Sequence, residues 1–399
     1  MLELYIHIPF CVRKCNYCDF LSFPAGEETV ERYMRALEEE IRRTGEFMYK
    51  NSGSPETLDP AWERTSGADG LPAPSARVST IFVGGGTPSL LSPAQIRRLF
   101  ACIRDHFSLA PDAEISMEAN PGTLDGEKLF ACREAGVNRL SIGLQSADDG
   151  LLQTLGRIHT WEQFLLNYEE ARKAGFGNIN IDLMSALPGQ SLHNYVDTLE
   201  KVTALHPEHI SSYSLILEEG TPFFDSEEIR RQLPDETVDR EMYERTKEIL
   251  HEKGYERYEI SNYAKDSFAC RHNLGYWDGV PYLGLGLGAS SYYNEARFAN
   301  ETSMAKYLKE PFVPFRGRQD YFVTTKKDRM EDYMIFGLRK MAGVSLSRFE
   351  REFGMSMEEV YGEVIRRYVA LKLLEVKGDA VRLTDKGIDV SNRIFEDFL

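Results

Sequence analysis

The sequence has few cysteines, no long apolar run and no surplus of basic residues. Six cysteines in 399 residues, three of them within eight positions, do not form the even framework of a disulfide-stapled secreted domain. No stretch approaches the roughly 18 apolar residues that a membrane helix needs. The first ten residues include Glu3 and His7 and no basic leader, which argues against a signal peptide. We therefore expect a cytoplasmic protein without a transmembrane segment.

Basic residues number 47 against 63 acidic ones, so the net charge is −16. A surface of this sign repels phosphate backbones, and nucleic acid is excluded as the expected partner. Two short basic pairs, Arg339–Lys340 and Arg366–Arg367, have acidic residues nearby in sequence. We interpret both as solvated helix faces.

The first two-thirds of the chain alternates short apolar strands with amphipathic helices. The predicted strands are Leu4–Ile8, Thr80–Val83, Glu114–Glu118, Arg139–Leu144, Asn178–Met184 and His209–Ser214. The predicted helices are about Glu28–Arg43, Pro93–His106, Gly126–Ala135, Thr160–Ala174, Leu192–Leu205 and Asp235–Lys253. This alternation is typical of parallel βαβ units. It predicts an α/β fold, an open or partial (β/α)6 barrel with its site at the carboxyl ends of the strands.

Composition divides the chain further. Residues 49–79 are rich in Ser, Gly, Pro and charge, and we predict a mobile surface insertion there. We predict a barrel core over 1–220, a barrel extension over 221–320 and a mainly helical, winged-helix-like domain over 321–399. In the last, helices from Lys326 to about Val369 precede a hairpin of Leu371–Val376 and Ala380–Leu383. The acidic charge favours packing or docking over DNA binding for this domain.

Cys11, Cys15 and Cys18 form a close cluster after the first predicted strand. Thiolates are soft ligands that suit zinc or iron–sulfur clusters. A structural zinc site normally has four protein ligands, and no fourth Cys or His follows at the usual spacing. Three ligands leave one metal position open, which favours a reactive [4Fe–4S] cluster over a structural site.

Polar groups recur where the predicted strands end. The run Gly84-Gly-Gly-Thr87 can bring successive N–H groups together as an anion-binding nest. Glu118 ends the third strand and can accept hydrogen bonds from hydroxyl or ammonium groups. Gln145 offers a donor and an acceptor, and Arg157 can fork onto a carboxylate. Asp182 stands in an apolar run and needs a partner if it is buried.

The cysteine spacing with Tyr17 before the third cysteine resembles the radical-SAM signature. The resemblance implies a partial (β/α)6 barrel whose cluster binds S-adenosylmethionine (SAM) at its open iron and, when reduced, cleaves it to a 5′-deoxyadenosyl radical. The intervals resemble the oxygen-independent coproporphyrinogen III oxidase branch. Carried over, they imply SAM contacts at Tyr5, Tyr17, Gly85, Gly86, Thr87, Glu118, Gln145, Arg157 and Asp182. The resemblance leaves open whether the protein has one SAM site or two.

Two features differ from the oxidase pattern. Its fourth cysteine is replaced by Phe20, and its long N-terminal cover is expected to be absent because Cys11 lies ten residues from the start. The stretch His272-Asn273-Leu-Gly-Tyr276-Trp277 resembles the HemW-type haem chaperones, as do Glu331–Arg339 and Leu383–Gly387. This resemblance implies haem binding at His272, Asn273, Tyr276 and Trp277.

Imidazole is a good ligand for haem iron, and Tyr and Trp can flank a porphyrin. Cys270 is an alternative ligand, and a satisfied core histidine is the plainer interpretation of His272. The alternating glycines of Tyr282–Gly288 predict a close backbone approach, to SAM or haem.

The leading hypothesis is a haem chaperone that binds a [4Fe–4S] cluster, SAM and haem. Its partners are an acceptor protein for haem and an electron donor for the cluster; no catalytic residue is assigned. The first alternative is an oxygen-independent coproporphyrinogen III oxidase. The second is a protein whose cluster serves only electron transfer or structure.

Overall fold

Six parallel strands form the centre of the molecule, in a computed structural model that describes residues 1–51 and 77–399. They are β1 Leu2–Ile8, β2 Val78–Gly85, β3 Leu109–Ala119, β4 Arg139–Gln145, β5 Ile179–Ser185 and β6 His209–Ser214. Each pairs in parallel with the next along the chain. Within the described residues β1 and β6 do not pair with each other, so the barrel is open. The predicted partial (β/α)6 barrel is confirmed.

Helices connect these strands and bury one apolar stripe each. They are α1 Glu27–Asn51, α2 Pro93–His106, α3 Gly126–Glu134, α4 Asp149–Leu155, α5 Trp161–Lys173 and α6 Leu192–Thr203. In α2 the buried positions Ile96, Leu99, Phe100 and Ile103 follow the helical period. Ser92 begins this helix with a reciprocal cap to Gln95, which fixes where the helix leaves the strand end.

Further elements continue the sheet on both sides to 12 strands. They are α7 Pro222–Asp225, α8 Glu227–Gln232, α9 Glu236–Glu252, β7 Glu256–Arg257, β8 Asn262–Ala264, α10 Arg271–Trp277, β9 Tyr282–Leu285, β10 Ser290–Tyr293, β11 Ala296–Ala299, α11 Met304–Lys309 and β12 Gln319–Val323. Strand β9 pairs in parallel with β1, and the sequence analysis placed no strand there. A Cβ on Gly286 would lie 2.6 Å from the carbonyl oxygen of His7. The predicted close approach is therefore made directly after β9 and to the protein's own chain, rather than to SAM or haem.

The C-terminal part has its own hydrophobic core, from Met330 to Phe398. Its elements are α12 Lys326–Gly337, β13 Val344–Ser345, α13 Leu346–Phe353, α14 Met357–Ala370, β14 Leu374–Lys377, β15 Ala380–Leu383, α15 Asp385–Asp389 and α16 Ser391–Glu396. The three strands form an antiparallel sheet in the order β13-β15-β14. Helices followed by a hairpin confirm the mainly helical, winged-helix-like arrangement. The boundaries at 220 and 320 stay predictions.

Two predicted limits were wrong. Helix α1 runs to Asn51 and strand β2 begins at Val78, so both ends of the predicted insertion 49–79 belong to regular elements; its middle, 52–76, lies outside the described residues. The hairpin begins at Leu374 rather than Leu371 because α14 continues to Ala370. Lys372 then takes a positive φ of 60°, which turns the chain out of the helix.

One basic pair was also misassigned. The guanidinium of Arg339 lies 4.7 Å from the ring centre of Trp277, and Lys340 pairs with Asp278. These residues join the C-terminal domain to α10 and are not a solvated helix face. The side chains of Arg366 and Arg367, by contrast, are 65% and 53% exposed, as expected. In the described ranges no helix is long and apolar enough to cross a bilayer.

Candidate cofactor sites in and below the barrel

The three clustered cysteines lie on the loop that leaves the carboxyl end of β1. The amide of Cys11 donates to the carbonyl of Phe23 at 3.1 Å, and the amide of Cys18 donates to the carbonyl of Cys15 at 3.3 Å. Asn16 ties the loop to α4 through a 3.0 Å bond from its amide to Leu155. The loop is thus fixed at the barrel end where the family resemblance puts the cluster.

Two of the sulfurs receive hydrogen bonds from the barrel. Thr87 Oγ1 lies 3.6 Å from Cys11 Sγ, and Arg157 Nη1 lies 3.7 Å from Cys15 Sγ. Burial raises the pKa of Cys18. No three His, Cys, Asp or Glu side chains converge on a single-ion site in the described part of the chain. A cubane puts each cysteine on a different iron, so three thiols on one loop, two of them with donors aimed at their sulfurs, fit a [4Fe–4S] cluster.

Asn120 holds these two donors in place, and the sequence analysis did not single it out. Its Nδ2 donates to Thr87 Oγ1 at 2.8 Å, and its Oδ1 accepts from Arg157 Nη2 at 2.6 Å. Arg157 also donates to the carbonyl of Gly143. The Nη groups of Arg157 thus meet an amide, a carbonyl and a thiol, while its buried Nε has no partner among the described residues, and the fork onto a carboxylate stays a prediction. Asn120 follows a strand end, as the other predicted site residues do.

The glycine-rich loop after β2 does not present free N–H groups. The amide of Gly85 donates to Glu118 Oε2 at 3.1 Å, that of Gly86 to the carbonyl of Ile8 at 2.8 Å, and that of Thr87 to the carbonyl of Phe10 at 2.7 Å. The predicted anion nest is wrong in this geometry. The glycines serve close approach instead, since a Cβ on Gly86 would lie 2.6 Å from the Phe10 carbonyl oxygen.

A cavity inside the barrel collects several predicted residues. It has about 570 Å³ of space, including the part open to solvent, and Tyr5, Glu118 and Asp182 line it. Burial raises the pKa of Glu118 to about 8, and the neighbouring Asp182 adds to this shift. Asp182 has the partner that its burial requires, because Asn180 Nδ2 donates to it at 2.8 Å and Ser141 Oγ at 3.2 Å. The hydroxyl of Tyr5 lies 3.0 Å from His7 Nδ1.

Two further predicted SAM residues, Gln145 and Tyr17, are not among the residues that line this cavity. Gln145 ends β4 with a positive φ of 75°, a conformation that non-glycine residues rarely adopt. Its Nε2 would be 3.0 Å from a Cβ on Gly143, so this glycine makes room for the side chain. Tyr17 packs beside Phe223, 6.5 Å between ring centres, in a small apolar cluster.

Arg139 is the cavity residue that the sequence analysis missed. It is 1% exposed, yet its Nε and Nη1 have no hydrogen-bond partner among the described residues. Cys270, Glu114, Tyr258 and Asp182 are ionisable groups that act on it electrostatically. A basic residue at the start of an otherwise apolar strand was the available signal.

Helix α10 closes the amino end of the barrel, opposite the cysteine loop. His272 is 1% exposed, and its Nδ1 lies 2.6 Å from Thr80 Oγ1. Its Nε2 lies 2.9 Å from the hydroxyl of Tyr276, and its ring stacks on Phe82. Burial lowers the pKa of His272 to about 3, so the imidazole is neutral. Both nitrogens are in use, and ligation of iron by His272 stays a prediction that requires the loss of one of these bonds.

The rest of the motif is divided between two spaces. His272, Asn273 and Tyr276 line the barrel cavity, while Tyr276 and Trp277 line a cleft between the barrel and the C-terminal domain. Cys270 is fully buried, its thiol donates to Glu114 Oε1 at 3.5 Å, and burial raises its pKa to about 12. It is as inaccessible as His272.

The open six-stranded barrel and the three-thiol loop at its carboxyl end define a radical-SAM protein. Residues 72–202 match the family described as Radical SAM superfamily, and residues 324–390 match the HemN C-terminal domain.

Curated relatives narrow the class. The chain is 37% identical to Heme chaperone HemW of Lactococcus lactis, over 99% of this chain and 96% of the relative. It is 36% identical to Heme chaperone HemW of Bacillus subtilis, over 100% and 99% of the two chains. The solved structure of coproporphyrinogen III oxidase (HemN) from Escherichia coli has a TM-score of 0.81 at 24% identity, covering 100% of this chain and 89% of that one. The first two similarities place the chain in the HemW family, and the third shows the fold.

Proposed function

We propose that this protein is a haem chaperone on a radical-SAM scaffold, which binds haem and delivers it to an acceptor protein. The observation that carries the proposal is the similarity over the whole chain to relatives named Heme chaperone HemW. Phe20 supports it, since the position of the oxidase's fourth cysteine holds an apolar side chain that is 63% exposed.

Cys11, Cys15 and Cys18 would hold a [4Fe–4S] cluster, and SAM would bind at its open iron. Reduced in the presence of SAM, such a cluster supplies the electron that cleaves the sulfonium. The chain's own contribution is positional: Thr87 and Arg157 donate to the sulfurs, and Asn120 holds both donors. Tyr5, Glu118 and Asp182 border the space that would receive the rest of SAM. A cytoplasmic location and an electron-donor partner belong to the same proposal.

The test is anaerobic reconstitution followed by haem titration and transfer to apomyoglobin as a probe acceptor. We expect a Soret band on titration, loss of that band from the donor on transfer, and a SAM-induced change in the reduced cluster's EPR spectrum. Cys15→Ser should abolish the cluster signal. Cys102→Ser is the matched control, because this thiol lies on α2 and donates to the carbonyl of Glu38 on α1 rather than belonging to the cysteine loop.

The alternatives give different results. Vinyl products from coproporphyrinogen III, with 5′-deoxyadenosine, would identify an oxidase and overturn the proposal. If SAM does not change the EPR spectrum of the reduced cluster, the alternative that remains is a cluster used only for electron transfer or structure. Absence of haem binding by the reconstituted protein would also refute the proposal.

A further inference from the structure

A cleft lined by aromatic and basic side chains lies between the barrel and the C-terminal domain. It has about 890 Å³ of space, including the part open to solvent. We propose that haem binds in this cleft, with its iron out of reach of His272. This inference rests on the proposed function. The C-terminal domain then supplies half of the site.

Aromatic rings line both walls of the cleft. Tyr276 and Trp277 come from α10 on the barrel side, and Tyr333 and Phe336 come from α12 on the other side. The rings of Trp277 and Phe336 are 6.5 Å apart and tilted by 47°. These two rings contact each other, so together they offer one aromatic surface on which a face of a planar, largely apolar macrocycle can pack.

The cleft also carries positive charge in an acidic protein. Its lining includes Arg297, Arg329, Lys340 and Arg348 against three carboxylates, whereas the whole chain has a net charge of −16. Arg297, Arg329 and Arg348 are 43%, 25% and 39% exposed, so they lie at the opening. Guanidinium groups bind carboxylates in a bidentate manner. The three arginines now pair with Asp332, Glu295 and Asp278. On haem binding they would exchange these partners for the two propionates at the rim.

This placement gives His272 a positioning role. Its Nε2 bonds to the hydroxyl of Tyr276, whose ring borders both the barrel cavity and the cleft. The Thr80–His272–Tyr276 chain therefore fixes one wall of the haem site from inside the barrel. Both imidazole nitrogens of His272 are used in this chain of hydrogen bonds, so neither is free to bind iron.

The test is a haem titration of the full-length, reconstituted protein. Arg297→Gln with Arg329→Gln should raise the dissociation constant for ferric haem roughly tenfold, since two charge-assisted contacts are lost. The same double variant should bind protoporphyrin IX dimethyl ester as wild type does, because this probe has no carboxylates. Phe336→Ala should weaken both probes. His272→Ala should keep the position of the Soret band.

Arg366→Gln with Arg367→Gln is the matched control, because it makes the same charge change on an exposed face. If a variant fails to fold, hydrogen exchange on the wild type with and without ferric haem tests the same site. Residues 276–282 and 326–348 should exchange more slowly when haem is bound. If the cleft variants bind haem as tightly as the wild type does, or if the Soret band shifts in His272→Ala, the cleft site is overturned. The chaperone proposal stays intact in both cases. No haem binding by the wild type would defeat the proposed function itself.

Discussion

Two carboxyl groups inside the barrel, Glu3 and Glu118, have no Lys or Arg at ion-pair distance in the described ranges. Burial raises the pKa of each to about 8. Such groups are protonated in the folded protein at neutral pH and ionised in the unfolded chain. Their burial penalises the folded state as pH rises.

The first prediction concerns Glu3, which is 2% exposed. Its pKa rises from 4.5 to about 8 on folding, so the native state holds more protons and stability must fall as pH rises between these values. Glu3→Gln should reduce that slope by up to about 1.4 kcal/mol per pH unit. Urea denaturation from pH 5 to 8 measures it. The exposed Glu363→Gln should leave the slope unchanged, and an unaltered slope in Glu3→Gln would contradict the assignment.

The second prediction concerns Arg157, which donates to Cys15 Sγ. Hydrogen bonds to cluster sulfurs stabilise the added negative charge of reduction. Arg157→Met should therefore lower the midpoint potential of the reconstituted cluster, measured by an EPR-monitored redox titration without SAM. Arg35→Met, on the exposed face of α1, is the control. An unchanged potential would mean that this contact has no electrostatic role.

At the scale of elements, α10 is held against the barrel base by polar contacts that a single methyl group would disturb. The amides of Arg271 and His272 both donate to Glu114, at 3.1 Å each. A Cβ on Gly275 would lie 2.0 Å from Glu3 Oε1. The helix can sit this close only because the motif has glycine at that position.

The third prediction follows from this contact. Gly275→Ala should destabilise the protein by about 1–3 kcal/mol, because the helix or the buried carboxyl must move. Gly126→Ala, in a helix where a Cβ meets nothing within 4 Å, should be neutral or slightly stabilising. Chemical denaturation of both variants checks the pair. Equal stabilities would show that α10 is free to shift.

At the scale of the whole molecule, a buried ion pair ties α1 to the sheet extension. Glu40 is fully buried, and Arg318 Nη2 lies 3.4 Å from its Oε1. Tyr307 and Asn300 donate to the same carboxylate at 2.7 Å each. The extension therefore depends on a charge carried by a helix more than two hundred residues away in sequence.

The fourth prediction tests that dependence. Arg318→Met leaves the Glu40 carboxylate without its cation and should cost about 3–5 kcal/mol of stability. Combining it with Glu40→Gln should recover part of the loss, because the uncompensated charge is removed. Thermal denaturation of the single and double variants measures both. A double variant no more stable than the single one would contradict the charge explanation.

The two candidate ligand sites lie at opposite ends of the barrel. The cysteine loop follows the carboxyl end of β1, whereas α10 contacts Thr80 near the beginning of β2 and Glu3 near the beginning of β1. The barrel cavity reaches both Glu118 and His272. Tyr276 lines both this cavity and the cleft, so it would lie between SAM in the barrel and haem in the cleft.

Local chemistry was enough for several conclusions. The spacing of Cys11, Cys15 and Cys18, the six strands and their polar ends could all be predicted, because ligand spacing and hydrophobic period are properties of short segments. The hydrogen-bond partners of the glycine loop, of Arg157 and of His272 could not be predicted from the sequence. Thr80 and His272 are 192 residues apart, and only the folded barrel brings them within 2.6 Å. The sequence by itself determined the family and pointed to the three cysteines that we propose as cluster ligands. The tertiary structure decided which predicted groups are already satisfied and which face a cavity, because long-range contacts choose among donors and acceptors that look equivalent along the chain.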